Sequence, residues 1–206
     1  GYQNTDWHSD NEYHCSLLWQ HPHFQDRFVS LWTQIAEHFK DSVAVAGYDV
    51  VNEPVTDTTY GRYGFKYKPN WNAINGLYRR VVTAIREVDK RHIIFLEGDC
   101  YSTKFDGLEE PFDDNIVYSS HNYNFINFQS VDYPGIFEGE YWNKNKHRDQ
   151  FMQQEGTKFS QKFNVPLFVG EFGAVFNRTS LENEAHIKSL NDQIDIFEEF
   201  GAHWTI

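Results

Sequence analysis

The chain reads as an α/β protein, a (β/α)8 TIM barrel present as a fragment. Three observations predict this class. Apolar strands alternate with amphipathic helices along the sequence. The strands are mostly apolar throughout rather than at every second residue, which marks strands buried on both faces of a parallel sheet. Each strand also carries a carboxylate, a histidine or a tryptophan toward its C-terminal side: Glu53, Glu97, His121, Glu171 and Trp204. A doubly wound sheet shares the first two features. The third is the pattern of a barrel rim, where one site draws residues from several strand ends. No G-x-G-x-x-G run follows a strand, which speaks against a dinucleotide-binding sheet.

The elements follow in order. A polar, aromatic loop runs from Gly1 to Cys15. Phe24, Phe28, Leu31, Ile35 and Phe39 recur at three- and four-residue spacing and predict a helix over Phe24–Phe39. Val43–Asn52 is a short apolar strand closed by Glu53-Pro54, and a loop rich in Tyr and Gly continues to Pro69. Trp71–Val88 is a second helix that buries Ile74, Leu77, Tyr78, Val81, Val82 and Ile85. Ile93–Leu96 and Ile116–Ser120 are strands, ending at Glu97 and His121. The long stretch Asn122–Lys146 reads as loop, Arg148–Phe163 as helix, and Leu167–Gly170 as the strand before Glu171. Leu181–Phe200 is the last helix and Ala202–Ile206 the last strand.

Composition narrows the function. The 206 residues, 40% of them hydrophobic, suffice for one domain with a real core. Aromatic residues make up 17%, more than such a core needs, so some should line a surface that binds a flat, partly apolar ligand. Sugars are such ligands, since their C–H faces stack on rings while their hydroxyls take hydrogen bonds. A net charge of −12 repels phosphate polyanions and argues against nucleic acid. No apolar run is long enough to span a bilayer. Cys15 and Cys100 are too few for a disulfide framework. The chain begins with Gly and stops inside its last strand, so we expect a piece of a longer protein. We expect the native start to be missing, and with it any secretory leader, which leaves localisation open, with secretion compatible.

Glu53 and Glu171 point to a specific chemistry. Hydrolysis of a glycosidic bond with retention uses two carboxyl groups about 5–5.5 Å apart, one protonated and one ionised. Each of these glutamates closes its own apolar strand, and a barrel mouth brings such positions together. Either glutamate alone would read as a solvated strand-end carboxylate.

The motifs around them make the resemblance specific. Tyr48-Asp-Val-Val-Asn-Glu-Pro54 resembles the Asn-Glu-Pro strand of glycoside hydrolase family 5, the cellulase-type retaining β-glycosidases. Phe168-Val-Gly-Glu-Phe-Gly173 resembles its nucleophile strand, and His121-Asn-Tyr123 its His-x-Tyr. Trp204 stands where the family has a sugar-stacking Trp on the last strand. The resemblance implies Glu53 as general acid and then base, and Glu171 as nucleophile. It implies that Asn52 donates to the sugar 2-hydroxyl, that Tyr123 donates to Glu171, and that His121 bonds near the acid/base or the substrate. Trp204 becomes a floor for the sugar ring, and Trp7 and His8 border its subsites. Core packing is the competing reading of Tyr123 and Trp204. The implied partner is a carbohydrate, a β-glucan, β-mannan or other β-glycoside, and no cofactor is implied. The family also uses an Arg and a His from early strands that this chain does not contain. The resemblance therefore places residues 1–206 at about strands 4 to 8 of the catalytic barrel, without its N-terminal strands.

Other features carry less. Glu97 is a rival carboxylate at a strand end, read either as a hydrogen-bonding partner near the rim or as a ligand for a substrate hydroxyl. His8, His14, His21 and His23 crowd the start of the chain, but their spacing fits no zinc pattern and no Cys pair completes one, so no metal is expected. The sequon Asn177-Arg-Thr179 matters only for a protein secreted by a eukaryotic cell. Two competing functions are a catalytically inactive carbohydrate-binding barrel and a different barrel enzyme that uses the carboxylates as metal ligands. The first has no need of a carboxylate pair, and the second does not explain Asn-Glu-Pro and His-x-Tyr.

Overall fold

A computed structural model describes residues 16–58, 66–129, 132–176 and 179–206. The chain divides into two compact units, Gly1–Tyr118 and Ser119–Ile206. Among the described residues no helix is long and apolar enough to cross a membrane.

The first unit is built from β/α steps. A short helix α1 (Leu17–Gln20) leads into α2 (Pro22–Phe39), which starts with Pro at its first turn, where no helical N–H is lost. The His21 side chain caps α2 by accepting from the His23 N–H. Strand β1 (Gly47–Asp49) pairs in parallel with β2 (Ile93–Glu97), matching Gly47 to Ile93 and Asp49 to Phe95. Between them runs α3 (Trp71–Val88), capped by Asn70 accepting from the Ala73 N–H. Its buried residues are Ile74, Leu77, Tyr78, Val81, Val82 and Ile85, the stripe expected from the sequence. Beyond β2 the Ile94 N–H bonds to the Asn115 carbonyl at 3.1 Å, leading into β3 (Ile116–His121), which straddles the boundary of the units.

The N-terminal ends of β1 and β2 are fastened by a buried polar cluster. The Tyr48 hydroxyl donates to Asp89 at 2.7 Å, and the His92 ring contacts the same carboxylate. Burial works against the charge of Asp89, but hydrogen bonds from Tyr48, Arg91 and His92 outweigh it and hold its pKa at about 2. Arg86 grips Asp113 through two bonds, at 2.9 and 3.0 Å, and also donates to the His92 and Asn115 carbonyls. With one end tied, the opposite strand ends are free to carry Glu53 and Glu97.

The second unit contains the last residues of β3, then α5 (Ile126–Gln129) and an antiparallel pair, β4 (Gly135–Phe137) with β5 (Glu140–Trp142). Helices α6 (Lys144–Gln153) and α7 (Glu155–Phe163) follow, then β6 (Leu167–Glu171), α8 (Ser180–Phe200) and β7 (His203–Trp204). Strands β6 and β7 are parallel, pairing Phe168 with His203 and Val169 with Trp204. Helix α8 opens with a capping box between Thr179 and Glu182 and ends at Gly201, whose φ of 85° is left-handed. Phe151, Leu167, Val169, Phe172, Leu190, Ile196, Phe197 and Ala202 form the core between this strand pair and its helices.

Several expectations need correction. Helix α2 begins two residues earlier than expected, and its packing face runs through Phe28, Val29, Trp32 and Ala36, leaving Leu31 53% exposed. The strand expected over Val43–Asn52 is three residues long, and Val43 is 91% exposed. Asn122–Lys146 contains a helical turn and a β pair rather than loop alone. The single helix expected over Arg148–Phe163 is two helices, broken where Gln154 takes an extended ψ of 144°.

Candidate active site

The stretch after β1 carries Asn52 and Glu53, two of the residues predicted for the site. Val50 and Val51 are buried, Asn52 is exposed, Glu53 is half-buried and Pro54 turns back into the protein. Glu53 has a left-handed φ of 46°, a conformation that a residue with a Cβ adopts only when its surroundings impose it. Glu97 is hydrogen-bonded to this backbone. The residue is 1% exposed, and its Oε2 accepts from the Glu53 N–H at 2.7 Å and from the Ser102 hydroxyl at 2.8 Å. The Glu97 carbonyl in turn accepts from Tyr78 of α3 at 2.8 Å.

Asp99 holds the next residues. It is fully buried and accepts from the Thr56 N–H at 3.0 Å, the Thr56 hydroxyl at 2.6 Å and the Tyr67 hydroxyl at 2.6 Å. Burial, and then Asp99 beside it, push the Tyr67 phenol well above its ordinary pKa, so it stays a donor. Between the two carboxylates Gly98 leaves room for Phe105, whose ring would lie 2.3 Å from an added Cβ. After Asp99 the turn α4 (Asp99–Ser102) is left-handed at Cys100, Tyr101 and Ser102, with φ of 53°, 57° and 61°. It delivers the Ser102 hydroxyl to Glu97 and the Tyr101 N–H to the Pro54 carbonyl, at 3.3 Å.

The remaining predicted residues are in the other unit, where β3 and β6 end side by side. The Asn122 N–H donates to the Glu171 carbonyl at 2.8 Å. The Tyr123 hydroxyl donates to Glu171 Oε2 at 3.0 Å, and His121 Nδ1 lies 3.7 Å from the same oxygen. His121 is buried, whereas the Glu171 side chain is 38% exposed, as a group that must meet a ligand would be. Trp204 on β7 packs edge-on against Phe172, with ring centroids 5.8 Å apart, and is partly open to solvent. Trp7 and His8 lie outside the described residues, as do His14 and Asn177 of the sequon.

A buried amide network holds Asn122 and Asn124, the residues on either side of Tyr123. Asn124 donates to Gln193 Oε1 and to His147 Nδ1, both at 3.2 Å, and Gln154 donates to Asn122 at 2.6 Å. Ser189 donates to Asn127 Oδ1 at 2.6 Å and lies 2.8 Å from His147 Nε2. The donors fix one tautomer: His147 Nε2 carries the proton toward Ser189, and Nδ1 accepts from Asn124. Only the neutral ring satisfies both neighbours. Burial lowers the His147 pKa to about 4, against a smaller opposing pull from Asp192.

The structure thus gathers Asn52, Glu53 and Glu97 in one unit, and His121, Tyr123, Glu171 and Trp204 in the other. Sequence reasoning missed Asp99 and Ser102, which brace the Glu53 loop, and the amide network. The run His121-Asn-Tyr-Asn-Phe-Ile-Asn127 was a signal for the network, since its asparagines flank Tyr123 so closely. The left-handed turn had none, because Cys100, Tyr101 and Ser102 are not residues that favour it.

Comparisons with known proteins identify the family. Residues 4–206 match the family model described as Cellulase (glycosyl hydrolase family 5). A β-xylosidase of Phanerodontia chrysosporium is 32% identical over 215 residues, covering 100% of this chain and 42% of that protein. Endoglucanase C of Acetivibrio thermocellus is 26% identical, covering 94% of this chain and 63% of that one. Among solved structures, an endoglucanase superposes with a TM-score of 0.70 at 25% identity, over 92% of this chain and 60% of its own. A hyperthermophilic endo-β-1,4-glucanase does so with a TM-score of 0.69 at 28% identity, over 92% and 61%. The chain therefore spans about two fifths to three fifths of the relatives it matches, and its parallel β/α units are part of a (β/α)8 TIM barrel.

Proposed function

The chain belongs to glycosyl hydrolase family 5, and from that premise we propose that it is part of a retaining β-glycosidase in which Glu53 is the acid/base and Glu171 the nucleophile. On this reading residues 1–206 form one partial catalytic barrel. The observation that carries the proposal is the Tyr123 hydroxyl donating to Glu171 Oε2 at 3.0 Å. A phenol donor stabilises the ionised carboxylate and fixes its orientation, which is what a nucleophile needs and a solvated carboxylate lacks.

The reaction then runs in two displacements. A Glu171 oxygen bonds to the anomeric carbon as the bond to the leaving oxygen breaks, and Glu53 gives its proton to that oxygen. Water next attacks the anomeric carbon while Glu53 takes its proton, and the ester bond to Glu171 breaks. Asn52 donates to the 2-hydroxyl, a contact that strengthens as the ring becomes oxocarbenium-like. His121 bonds the substrate or the acid/base, Trp204 stacks on the sugar, and Trp7 and His8 border the subsites. Relatives named as endoglucanases and as a β-xylosidase favour a β-glucan or a related β-glycoside as substrate.

Glu171→Gln in the full-length protein tests the reading. It keeps the side chain's shape and removes its charge, so turnover should vanish while sugar binding persists. Near-normal turnover would end the assignment. A wild-type protein that binds sugars without turnover would favour the inactive barrel. Activity abolished by a chelator and restored by a divalent ion would favour metal ligation by the carboxylates.

A further inference from the structure

We propose that Glu97 is a positioning residue for Glu53, a buried carboxylate whose task is to aim the acid/base rather than to touch the sugar. The proposal rests on the acid/base reading of Glu53. Three observations carry it. Glu97 is 1% exposed, so its carboxylate faces the protein. Its Oε2 takes the backbone N–H of Glu53 itself, at 2.7 Å, where that residue has a left-handed φ of 46°. The turn after Asp99 is left-handed at three successive non-glycine residues, and it is this turn that sends the Ser102 hydroxyl to the same oxygen. Backbone of this kind persists only where its surroundings hold it, and it concentrates at functional sites.

The physical consequence is directional. The direction of Cα–Cβ follows from the backbone at Glu53. Freeing its N–H lets φ relax toward the favoured negative region and swings the carboxyl away from the leaving oxygen. A displacement of about 1 Å can cost about a hundredfold in rate. The loss falls on proton transfer, so it depends on how much the leaving group needs a proton.

Two variants of the full-length protein separate geometry from charge. Glu97→Asp keeps the charge and withdraws the acceptor by one methylene. Glu97→Gln loses the charge and keeps a carbonyl oxygen where Oε2 lies. The readout is log kcat/KM against leaving-group pKa for a series of aryl β-glycosides, with thermal melting alongside. Glu97→Asp should steepen the slope and lose about a hundredfold on the poorest leaving groups, while activated glycosides lose little. Glu97→Gln should keep a slope near wild type. An unchanged slope in Glu97→Asp, a uniform loss across all leaving groups, or equal impairment in Glu97→Gln would overturn the proposal. Glu53→Ala is the control. If it too leaves the slope unchanged, the acid/base reading fails; if it steepens the slope and Glu97→Asp does not, only the positioning role fails.

Discussion

Mild acid should loosen the network that holds Asn122 and Asn124, because that network is built on a neutral histidine. His147 is 1% exposed and bonded on both ring nitrogens. Its pKa is lowered from 6.5 to about 4, chiefly by burial. The sign follows directly. Between these values the unfolded chain takes up a proton that the folded chain refuses, so stability is full above the upper value and falls as pH drops toward the lower one. The depression is worth roughly 3 kcal/mol at about pH 4, with no further loss from this group below that. Gln at this position can accept from Asn124 and donate to Ser189, and it does not titrate. Urea unfolding of the full-length protein and of His147→Gln, at neutral pH and near pH 4, measures the difference. Wild type should lose roughly 3 kcal/mol more than the variant across that interval. Equal losses in both proteins would refute the assignment of a buried neutral ring.

Other perturbations follow from the same geometry. Tyr123→Phe removes a hydrogen bond to an ionised acceptor, worth about 1.5–3 kcal/mol, so kcat should fall about ten- to a hundredfold with melting unchanged; an unaltered kcat would show that the bond has no part in the chemistry. Glu53→Ala should cripple glycosides with poor leaving groups far more than activated ones, and azide should restore turnover by attacking the trapped intermediate; equal loss on both types without rescue would count against Glu53. Gly47→Ala would place a Cβ 2.4 Å from the Ile93 carbonyl, so denaturant unfolding should show a loss of about 1–3 kcal/mol, and a neutral effect would contradict the close pairing of β1 and β2.

What was legible in the sequence depended on how local its cause was. Helix α3 was readable to the residue, because its six buried positions share one helical face and Asn70 supplies its cap. The strand ends were readable because an apolar run stopping at a Glu or His is a local pattern. Helix α2 was harder, since aromatic and aliphatic residues lie on more than one of its faces and the choice between them is made by α3. Strands β4 and β5, three residues each, are too short for an alternation to show. The function of Glu97 was ambiguous for a deeper reason. One of its partners is a backbone N–H 44 positions away, and no residue pattern records a main-chain donor. The amide network was hidden similarly, since Ser189 and Gln193 on a helix read as solvent-facing until the loop they fasten is in place.

The central claim is that Glu171 becomes covalently bonded to the sugar. A 2-deoxy-2-fluoro β-glycoside with an activated leaving group slows the second displacement more than it prevents the first, so the intermediate accumulates. Mass spectrometry of the digested full-length protein then locates the added mass. The expected result is one fluorosugar on the peptide that contains Phe168-Val-Gly-Glu-Phe-Gly173, with fragment ions assigning it to Glu171 and no label in Glu171→Gln. A label on another carboxylate, or turnover of an ordinary β-glycoside that releases the α-anomer first, would contradict it.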